Sequence, residues 1–382
     1  MFPKVSILWL NYNSLSFIDI VLESLQAVNE LDYPNYELIV VDNASTDGSH
    51  KVIKNFIGKI SHAKFIRLER NLGFTGGNNV AYRLRDPESN YVVLLNNDAI
   101  PHQNILKEII EIMENNISLG ACQGVILRYG NHLIDSAGNY ICEMLGCYSL
   151  FSGKHYGIMK KPLYITYADG SLSIYRIEAL KRATKSSSKI FEDYTFAYFD
   201  DLILGLKLWN SNYKIASFPF IAGYHQRSTS FKKYKPLQFY LSFRGRVALN
   251  TISNSRYKNL IDLMFTKSVF FNVLSSGYRK IAAKNREEAQ RVAINAYLSG
   301  KKIGQILKRK GENIDLYKAP IIKVDIHEGF WGMIIPRRLI NPLIKEKLEK
   351  TLMSLQSLNT TCNISLRIDL NLRTDDVYEG TC

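Results

Sequence analysis

Short apolar segments alternate with amphipathic segments along the first 127 residues. Residues 5–10 form a nearly continuous apolar run typical of a buried strand, and apolar residues then recur from Leu15 to Leu25 at the spacing of one helix face. The strand pattern returns at 36–41, 64–68, 91–95 and 121–127, and helix patterns lie between these strands at 49–60, 77–85 and 103–115. This alternation predicts an α/β fold, with a mainly parallel sheet that carries helices on both faces.

The pattern becomes less regular after residue 127. Residues 130–162 are rich in Gly, Tyr and Cys, which indicates a long excursion over the sheet edge that helps to shape a pocket. Regular structure is predicted to resume after this excursion at 164–168, 175–180, 194–209 (a helix) and 216–222 (a strand). We therefore divide the chain into a catalytic domain over 1–235, a helical region over 236–310, and an unassigned tail over 311–382.

Composition narrows the classes of partner. The chain has 382 residues, of which 46% are hydrophobic, so it can bury a full core. Its net charge of +14 favours phosphates, anionic lipid headgroups or nucleic acid as partners. The Lys and Arg residues are spread along the chain without an RNA- or DNA-binding motif, which argues against a nucleic-acid binder.

Cysteine usage and hydropathy indicate a cytoplasmic protein. Five cysteines are an odd number without zinc spacing, and we interpret them as reduced thiols: Cys122, Cys142, Cys147, Cys362 and Cys382. The N-terminus shows no secretory signal, and no run of about 18 uncharged apolar residues exists to span a membrane.

Two predicted strands end in acidic clusters. Asp42 begins a polar run to Gly48, and Asn96-Asn97-Asp98 follows the strand at 91–95. The carboxyl end of a buried parallel strand is where an α/β sheet places its ligand chemistry. Asp42 can accept hydrogen bonds from a nucleoside, and Asp98 can bind Mg²⁺ or Mn²⁺ together with substrate phosphates. Ordinary turns, in which Ser45 or Asp47 caps the next helix, explain the same residues.

A glycine-rich turn lies between these clusters. Residues 71–79 read Asn-Leu-Gly-Phe-Thr-Gly-Gly-Asn-Asn and open a helix, where backbone N–H groups can meet phosphate oxygens. The glycine spacing is not that of the dinucleotide-binding fingerprint. A tight turn that needs glycine at positive φ is the alternative.

Acidic residues set among aromatic ones follow about 100 residues later. Glu192-Asp193 and Asp200-Asp201 occupy such positions, where desolvation raises a carboxylate pKa towards that of a general base. A helix N-terminus with Asp in its first turn gives the same pattern. His225 follows a predicted strand and is either structural or part of a metal or diphosphate site.

Jointly these segments resemble family 2 glycosyltransferases of the GT-A fold, in particular the non-processive, rhamnosyltransferase-like branch. The resemblance spans roughly residues 3–235 and rests on 6–13, 42–48, 71–79, Asn96-Asn97-Asp98, Asp169-Gly170-Ser171, Asp200-Asp201, and His225 with Ser230. It implies a donor half over about 1–127 and an acceptor half over about 128–235.

The resemblance also implies roles for individual residues. Asp201 would be the catalytic base with Asp200 beside it, Asp98 and His225 would hold Mn²⁺ or Mg²⁺, and Asp169 and Gly170 would lie on the acceptor side. The implied donor-binding residues are Asn11, Asn13, Asp42, Asn71, Gly73, Asn78 and Asn97, of which Asn11 and Asp42 would face the nucleoside.

Three departures from the family pattern bear on these roles. Asn96 stands where the metal motif usually begins with Asp, which favours a larger share of cation coordination by the diphosphate. Asp200-Asp201-Leu202-Ile203 lacks the last acid of the family's Glu-Asp-x-Asp, so Asp193 and Asp200 stay open as alternative bases. The Gln-x-x-Arg-Trp signature of processive synthases is missing, which favours transfer of one sugar at a time.

The implied activity is inverting transfer of a hexosyl or rhamnosyl unit from a nucleoside-diphosphate sugar to a glycan or polyprenyl-phosphate-linked acceptor, as in cell-surface polysaccharide biosynthesis. A non-catalytic nucleotide-sugar-binding or scaffold protein is the alternative. Residues 260–278 mix apolar and charged positions near the basic segment 301–310. This pattern fits peripheral contact with the cytoplasmic face of a membrane, or equally packing against the catalytic domain.

Overall fold

A computed structural model describes residues 2–226, 235–271, 286–326, 349–350 and 364–368. Strands β1 to β7 cover Val5–Asn11, Tyr36–Asp42, Ala63–Arg67, Tyr91–Asn96, Ala99–Pro101, Leu119–Arg128 and Ile134–Ser136. Strands β8 to β14 cover Asn139–Ile141, Cys147–Ser149, Leu163–Tyr164, Leu172–Arg176, Lys214–His225, Ile322–Ile326 and Ile364–Ile368. Helices α1 to α9 cover Ile18–Asn29, Ser49–Ile57, Gly73–Leu84, Ile105–Asn115, Ile177–Thr184, Asp200–Asn210, Lys235–Ile252, Lys258–Phe271 and Arg286–Arg309.

The main sheet has the strand order β10-β12-β6-β11-β4-β1-β2-β3. β1 pairs in parallel with β2 and β4, and β2 pairs in parallel with β3. β11 runs antiparallel to both β4 and β6, while β12 is parallel to β6. Six strands therefore point the same way. Their carboxyl ends and the amino end of β11 lie along one edge of the sheet.

The central strands are buried on both faces. β1, β2, β4 and β6 are buried over nearly every consecutive residue, not at alternate positions. Such strands belong to a sheet covered by helices on both sides. The predicted α/β class, with a mainly parallel sheet and a helical region after it, is confirmed.

The segment at 130–162 differs from the predicted surface excursion. It contains β7, β8 and β9, and Tyr140 and Ile141 are buried in the main core. These strands were not predicted because each is only three residues long, which is too short to show an alternating pattern.

The helix predicted over 194–209 begins only at Asp200. Phe196, Tyr198 and Phe199 have positive φ angles of 59°, 70° and 69°, which no right-handed helix can include. Bulky side chains rarely adopt this conformation. Its occurrence directly before an acidic pair marks a strained segment of the kind that clusters at functional sites.

The helical region packs on the catalytic part. The buried carboxylate of Glu143 accepts hydrogen bonds from the Tyr317 hydroxyl at 3.0 Å and the Val324 amide at 2.8 Å, and pairs with Arg256 at 3.0 Å. Ile261, Phe265 and Val269 of α8 are buried as well. Packing thus accounts for the buried apolar residues of α8 up to Val269, and residues 272–278 lie outside the described residues.

Among the helices that the structure describes, none is long and apolar enough to cross a membrane.

Candidate active site

The ends of β1 and β2 are joined by a buried polar network. The Asn11 amide donates to Asp42 Oδ1 at 2.8 Å and to Ser45 Oγ at 3.1 Å, and Asn11 Oδ1 accepts from Asn97 at 3.1 Å. Asp42 also accepts from the Ser45 hydroxyl at 2.6 Å. Asn11 and Asp42 are fully buried. Three of the predicted donor-binding residues, Asn11, Asp42 and Asn97, are therefore joined by hydrogen bonds through Asn11, and these bonds hold three strand ends in register.

The rest of the acidic cluster shapes the turn beside this network. Asn13, at a positive φ of 47°, accepts a hydrogen bond from the Thr46 amide at 2.8 Å. Asp47 accepts from the Ser49 amide at 3.0 Å and the Leu15 amide at 2.7 Å. The N-cap residue of α2 is Gly48, which makes no side-chain cap hydrogen bond, so the prediction that Ser45 or Asp47 caps this helix is wrong. Asp47 instead closes the turn that leads into α2.

The glycine-rich turn packs against the strained segment. Gly73 has a φ of 72°, and a Cβ at this position would lie 2.4 Å from the Phe196 carbonyl oxygen. The Gly73 amide donates to Asn71 Oδ1 at 2.7 Å, and the Thr75 amide donates to Phe196 at 3.2 Å. Asn78 donates to the Phe74 carbonyl at 2.9 Å. Three N–H groups of this turn, those of Leu72, Gly73 and Thr75, are thus occupied by protein acceptors, and the bond from Thr75 ties the turn to the segment that leads into α6.

Asp98, His225 and Asp135 form a line at the same edge. His225 Nε2 lies 3.2 Å from Asp98 Oδ1, and His225 Nδ1 lies 2.9 Å from Asp135 Oδ2. All three side chains are buried. Burial alone would lower the pKa of His225, but the hydrogen bonds to Asp135 and Asp98 outweigh it and raise the pKa to about 10.

The donor set suits a divalent cation held jointly with a substrate. Within the described residues, no group of three or more His, Cys, Asp or Glu side chains is arranged to hold a metal. Asp98 Oδ1 and His225 Nε2 lie 3.2 Å apart, and Asp135 holds the imidazole at its other ring nitrogen. A carboxylate on the far ring nitrogen is the usual support of a metal-binding histidine. Mn²⁺ and Mg²⁺ commonly take such partial protein sets and complete them with phosphate oxygens.

Asp169, Gly170 and Asp201 lie at the start of β11 and α6. Asp169 accepts from the Ser171 hydroxyl at 2.7 Å, and its amide donates to Gln123 at 2.7 Å. A Cβ on Gly170 would lie 3.8 Å from Asp201 Oδ2. A methyl group at Gly170 would therefore make ordinary van der Waals contact with the Asp201 side chain.

The two adjacent acids of α6 differ in environment. Burial and the charge of Asp201 raise the pKa of Asp200 well above its ordinary value, whereas burial and the charge of Asp169 raise the pKa of Asp201 to about 7. Asp200 is buried and Asp201 is partly exposed. Burial thus favours the neutral form of Asp200, and Asp201 is the acid of the pair that is in contact with solvent.

The other two acids of the aromatic segment serve structural bonds. Glu192 pairs with the buried Lys207 at 2.8 Å. Asp193 accepts from Asn79 at 3.0 Å and pairs with Lys189 at 3.4 Å, and its side chain is 61% exposed. The geometry supports Asp201 over Asp193 as the candidate base.

Residues 6–183 match the family model described as glycosyl transferase family 2. This part, just under half of the chain, is similar to glycosyltransferase family 2. The mainly parallel α/β sheet and the helical region after it agree with the GT-A architecture expected for that family.

Curated relatives agree with the family match. The chain is 27% identical over 111 residues to TuaG of Bacillus subtilis, a glycosyltransferase whose name assigns it to teichuronic acid biosynthesis, covering 29% of this chain and 42% of TuaG. It is 27% identical over 145 residues to an uncharacterized glycosyltransferase of Haemophilus influenzae, covering 38% of this chain and 50% of that protein. The chain thus spans about half the length of the relatives it matches.

Two solved structures share part of the architecture. TarS 1–349 of S. aureus in complex with UDP-GlcNAc aligns with 81% of this chain and 92% of its own, at 16% identity and a TM-score of 0.48. The mannosyltransferase PcManGT of Pyrobaculum calidifontis in complex with GDP-Man and Mn²⁺ aligns with 81% and 80%, at 17% identity and a TM-score of 0.47. These scores carry no conclusion beyond the family match.

The sequence analysis did not identify Asp135 or the role of Ser45 in this candidate active site. Asp135 lies in the irregular segment after β6, and no spacing relates it to His225, 90 residues later. Ser45 was read only as a helix cap, although its hydroxyl links Asn11 to Asp42. Ser230 of the family pattern lies outside the described residues.

Proposed function

We propose that the chain transfers one sugar from a nucleoside-diphosphate sugar to a hydroxyl of a glycan or lipid-linked acceptor, with inversion at the anomeric carbon. The observation that carries this proposal is the meeting of Asp201, Asp169, Asp98 and His225 at one sheet edge. The charge of Asp169 acts on both Asp201 and His225, which supports one shared site for the candidate base and the candidate cation ligands.

Asp201 is proposed as the general base. Its partly exposed carboxylate removes the proton of the acceptor hydroxyl as the acceptor oxygen bonds to the anomeric carbon. The bond from that carbon to the diphosphate breaks on the opposite face. A single displacement of this kind inverts the anomeric configuration.

Asp98 and His225 are proposed to hold Mn²⁺ or Mg²⁺ on the donor diphosphate. When bound, the cation supplies positive charge that stabilises the leaving diphosphate. Without it, Asp98 and Asp135 keep a proton on His225, and cation binding would release that proton. Asn11, Asn13, Asp42, Asn71, Gly73, Asn78 and Asn97 are proposed to form the donor-side wall.

A nucleotide-sugar panel tests the proposed function directly. The full chain is incubated with UDP-, dTDP- and GDP-linked sugars and with Mn²⁺ or Mg²⁺, and release of the nucleoside diphosphate is measured with and without glycan or polyprenyl-phosphate-linked acceptors. Release from one donor, stopped by EDTA, supports the transferase and names its sugar. Donor binding without release under every condition supports a non-catalytic sugar-nucleotide binder, and the absence of any binding rejects both.

Asp135 should act through His225. Replacing Asp135 with Ala removes the acceptor for His225 Nδ1 and frees the ring to rotate, so we expect the Mn²⁺ affinity measured with UDP present to fall by about 10–100-fold. Electron paramagnetic resonance of free Mn²⁺ measures this affinity without any turnover. Asp135→Asn, which keeps an oxygen for the N–H, should recover part of the loss.

Asp32→Asn provides the matched control, because Asp32 is exposed and pairs only with Lys107 at 3.5 Å in the described part of the chain. Equal Mn²⁺ affinity in the wild-type protein and Asp135→Ala would show that His225 needs no such support.

A further inference from the structure

Three consecutive residues of α7 contact the segment that carries the candidate base. Arg244 donates a hydrogen bond to the Thr195 carbonyl. A Cβ on Gly245 would lie 2.8 Å from Phe199 Cβ, and the Arg246 guanidinium lies over the Phe199 ring at 5.6 Å from its centroid. α7 therefore forms a wall beside Asp200 and Asp201.

The two arginines of this wall differ in their partners. Arg244 is buried, and its charge acts on Asp200. Arg246 Nε is also buried, yet within the described residues its guanidinium forms no hydrogen bond or ion pair. A buried charged donor without an acceptor is costly, and native proteins normally satisfy it. The only described contact of this guanidinium is the aromatic ring of Phe199, which leaves its donors available to a ligand.

Cys147 lies near both Arg246 and Asp201. The charges of Arg246 and Asp201 both act on the Cys147 thiol, which also hydrogen-bonds the Tyr167 hydroxyl. Desolvation by the surrounding protein raises the pKa of Cys147 to about 11, although the residue is exposed. Cys147 belongs to β9, in the segment predicted to shape the acceptor pocket.

We propose that Arg246 binds an oxyanion of the acceptor, a phosphate or a carboxylate, next to the hydroxyl that Asp201 deprotonates. This inference rests on the proposed function. A guanidinium presents a planar fork that matches either oxyanion. The donor diphosphate is expected at Asp98 and His225. The charges of Asp98 and Asp169 act on His225. The charge of Arg246 acts on Cys147, which lies in the segment predicted to shape the acceptor pocket.

Protection of Cys147 from alkylation tests the subsite without any turnover. The full chain is treated with N-ethylmaleimide at about pH 9, where enough thiolate forms, and modification of Cys147 is followed by peptide mass spectrometry. The probes are glycerol 3-phosphate and glucuronate, with glycerol and glucose as their neutral counterparts. We expect each anion that occupies the subsite to slow labelling by about tenfold at saturation, with little effect from its neutral counterpart.

Variants of Arg246 decide whether this residue provides the protection. Arg246→Ala should abolish it, and Arg246→Lys should retain part of it, because Lys keeps the charge but loses the planar fork. The ratio of labelling rates with and without anion is compared, since removal of Arg246 itself changes the reactivity of Cys147. Arg291→Ala, at an exposed position of α9, is the matched control, and circular dichroism verifies folding of each variant.

Each result supports or overturns the inference. Anion protection lost in Arg246→Ala supports it, and the stronger probe identifies phosphate or carboxylate as the recognised group. Protection that persists in Arg246→Ala, or equal protection by the neutral probes, overturns it. Protection by UDP alone would assign Arg246 to the donor and also overturn it. Failure of the nucleotide-sugar panel, in contrast, would remove the transferase and leave any anion protection in place.

Discussion

The Asp201→Asn protein should lose nearly all transfer activity while still binding its donor. Asn is isosteric with Asp but cannot accept a proton, and loss of a general base typically costs about 10²–10⁴-fold in rate. The donor diphosphate is expected at Asp98 and His225, so its affinity should change little. Single-turnover transfer measures the rate, and isothermal titration with UDP measures donor-side binding.

The pH dependence of the wild-type rate provides a second test of Asp201. Its pKa of about 7 means that the carboxylate is protonated and inactive below that pH. The transfer rate should therefore rise as pH increases through about 7 and level off above it. Residual activity of Asp201→Asn should lack this step.

Matched variants of the neighbouring acids complete the test. Asp193→Asn changes an exposed acid and should leave the rate within a few-fold of wild type, and Asp200→Asn replaces an acid whose pKa is raised by burial. Undiminished turnover in Asp201→Asn with tight donor binding would assign the base to Asp193 or Asp200 instead.

The Asp98→Ala protein should lose the effect of Mn²⁺ on donor binding. Asp98 is the only carboxylate within the described residues that contacts His225 Nε2, so its removal leaves one protein ligand for the cation. A cation on a diphosphate is worth several kcal/mol, and we expect the affinity for UDP in the presence of Mn²⁺ to fall by about 10²-fold. Titrations with UDP in Mn²⁺ and in EDTA measure the difference.

Wild-type protein should bind UDP more tightly in Mn²⁺ than in EDTA, and Asp98→Ala should show the same affinity in both. Asp32→Asn, with its exposed side chain, should behave as wild type. An Asp98→Ala protein that retains the full Mn²⁺ effect would place the cation elsewhere.

The local pattern of apolar and polar residues was enough to predict the sheet and the polar residues along its edge. Buried parallel strands are continuous apolar runs, so β1, β2, β4 and β6 were predictable to within two residues at each end. The polar residues that follow such strands were predictable as site residues, because parallel strands bring their carboxyl ends to one edge. The structure accordingly joins Asn11, Asp42 and Asn97.

The backbone conformation before α6 could not be predicted from the hydrophobic pattern. The aromatic and apolar residues at 194–199 match a helix, but contacts with the glycine-rich turn hold Phe196 at positive φ. The choice between Asp200 and Asp201 likewise depends on burial, which two adjacent acids of the same type cannot reveal in sequence.

The sequence by itself determined the fold class, the glycosyltransferase resemblance and the acids at the strand ends, because each depends on short-range periodicity or motif spacing. Only the tertiary structure paired Asp135 with His225 and placed Arg246 and Cys147 near Asp201. Those residues come from segments 90 and 99 positions apart in the chain, and long-range packing alone brings them together.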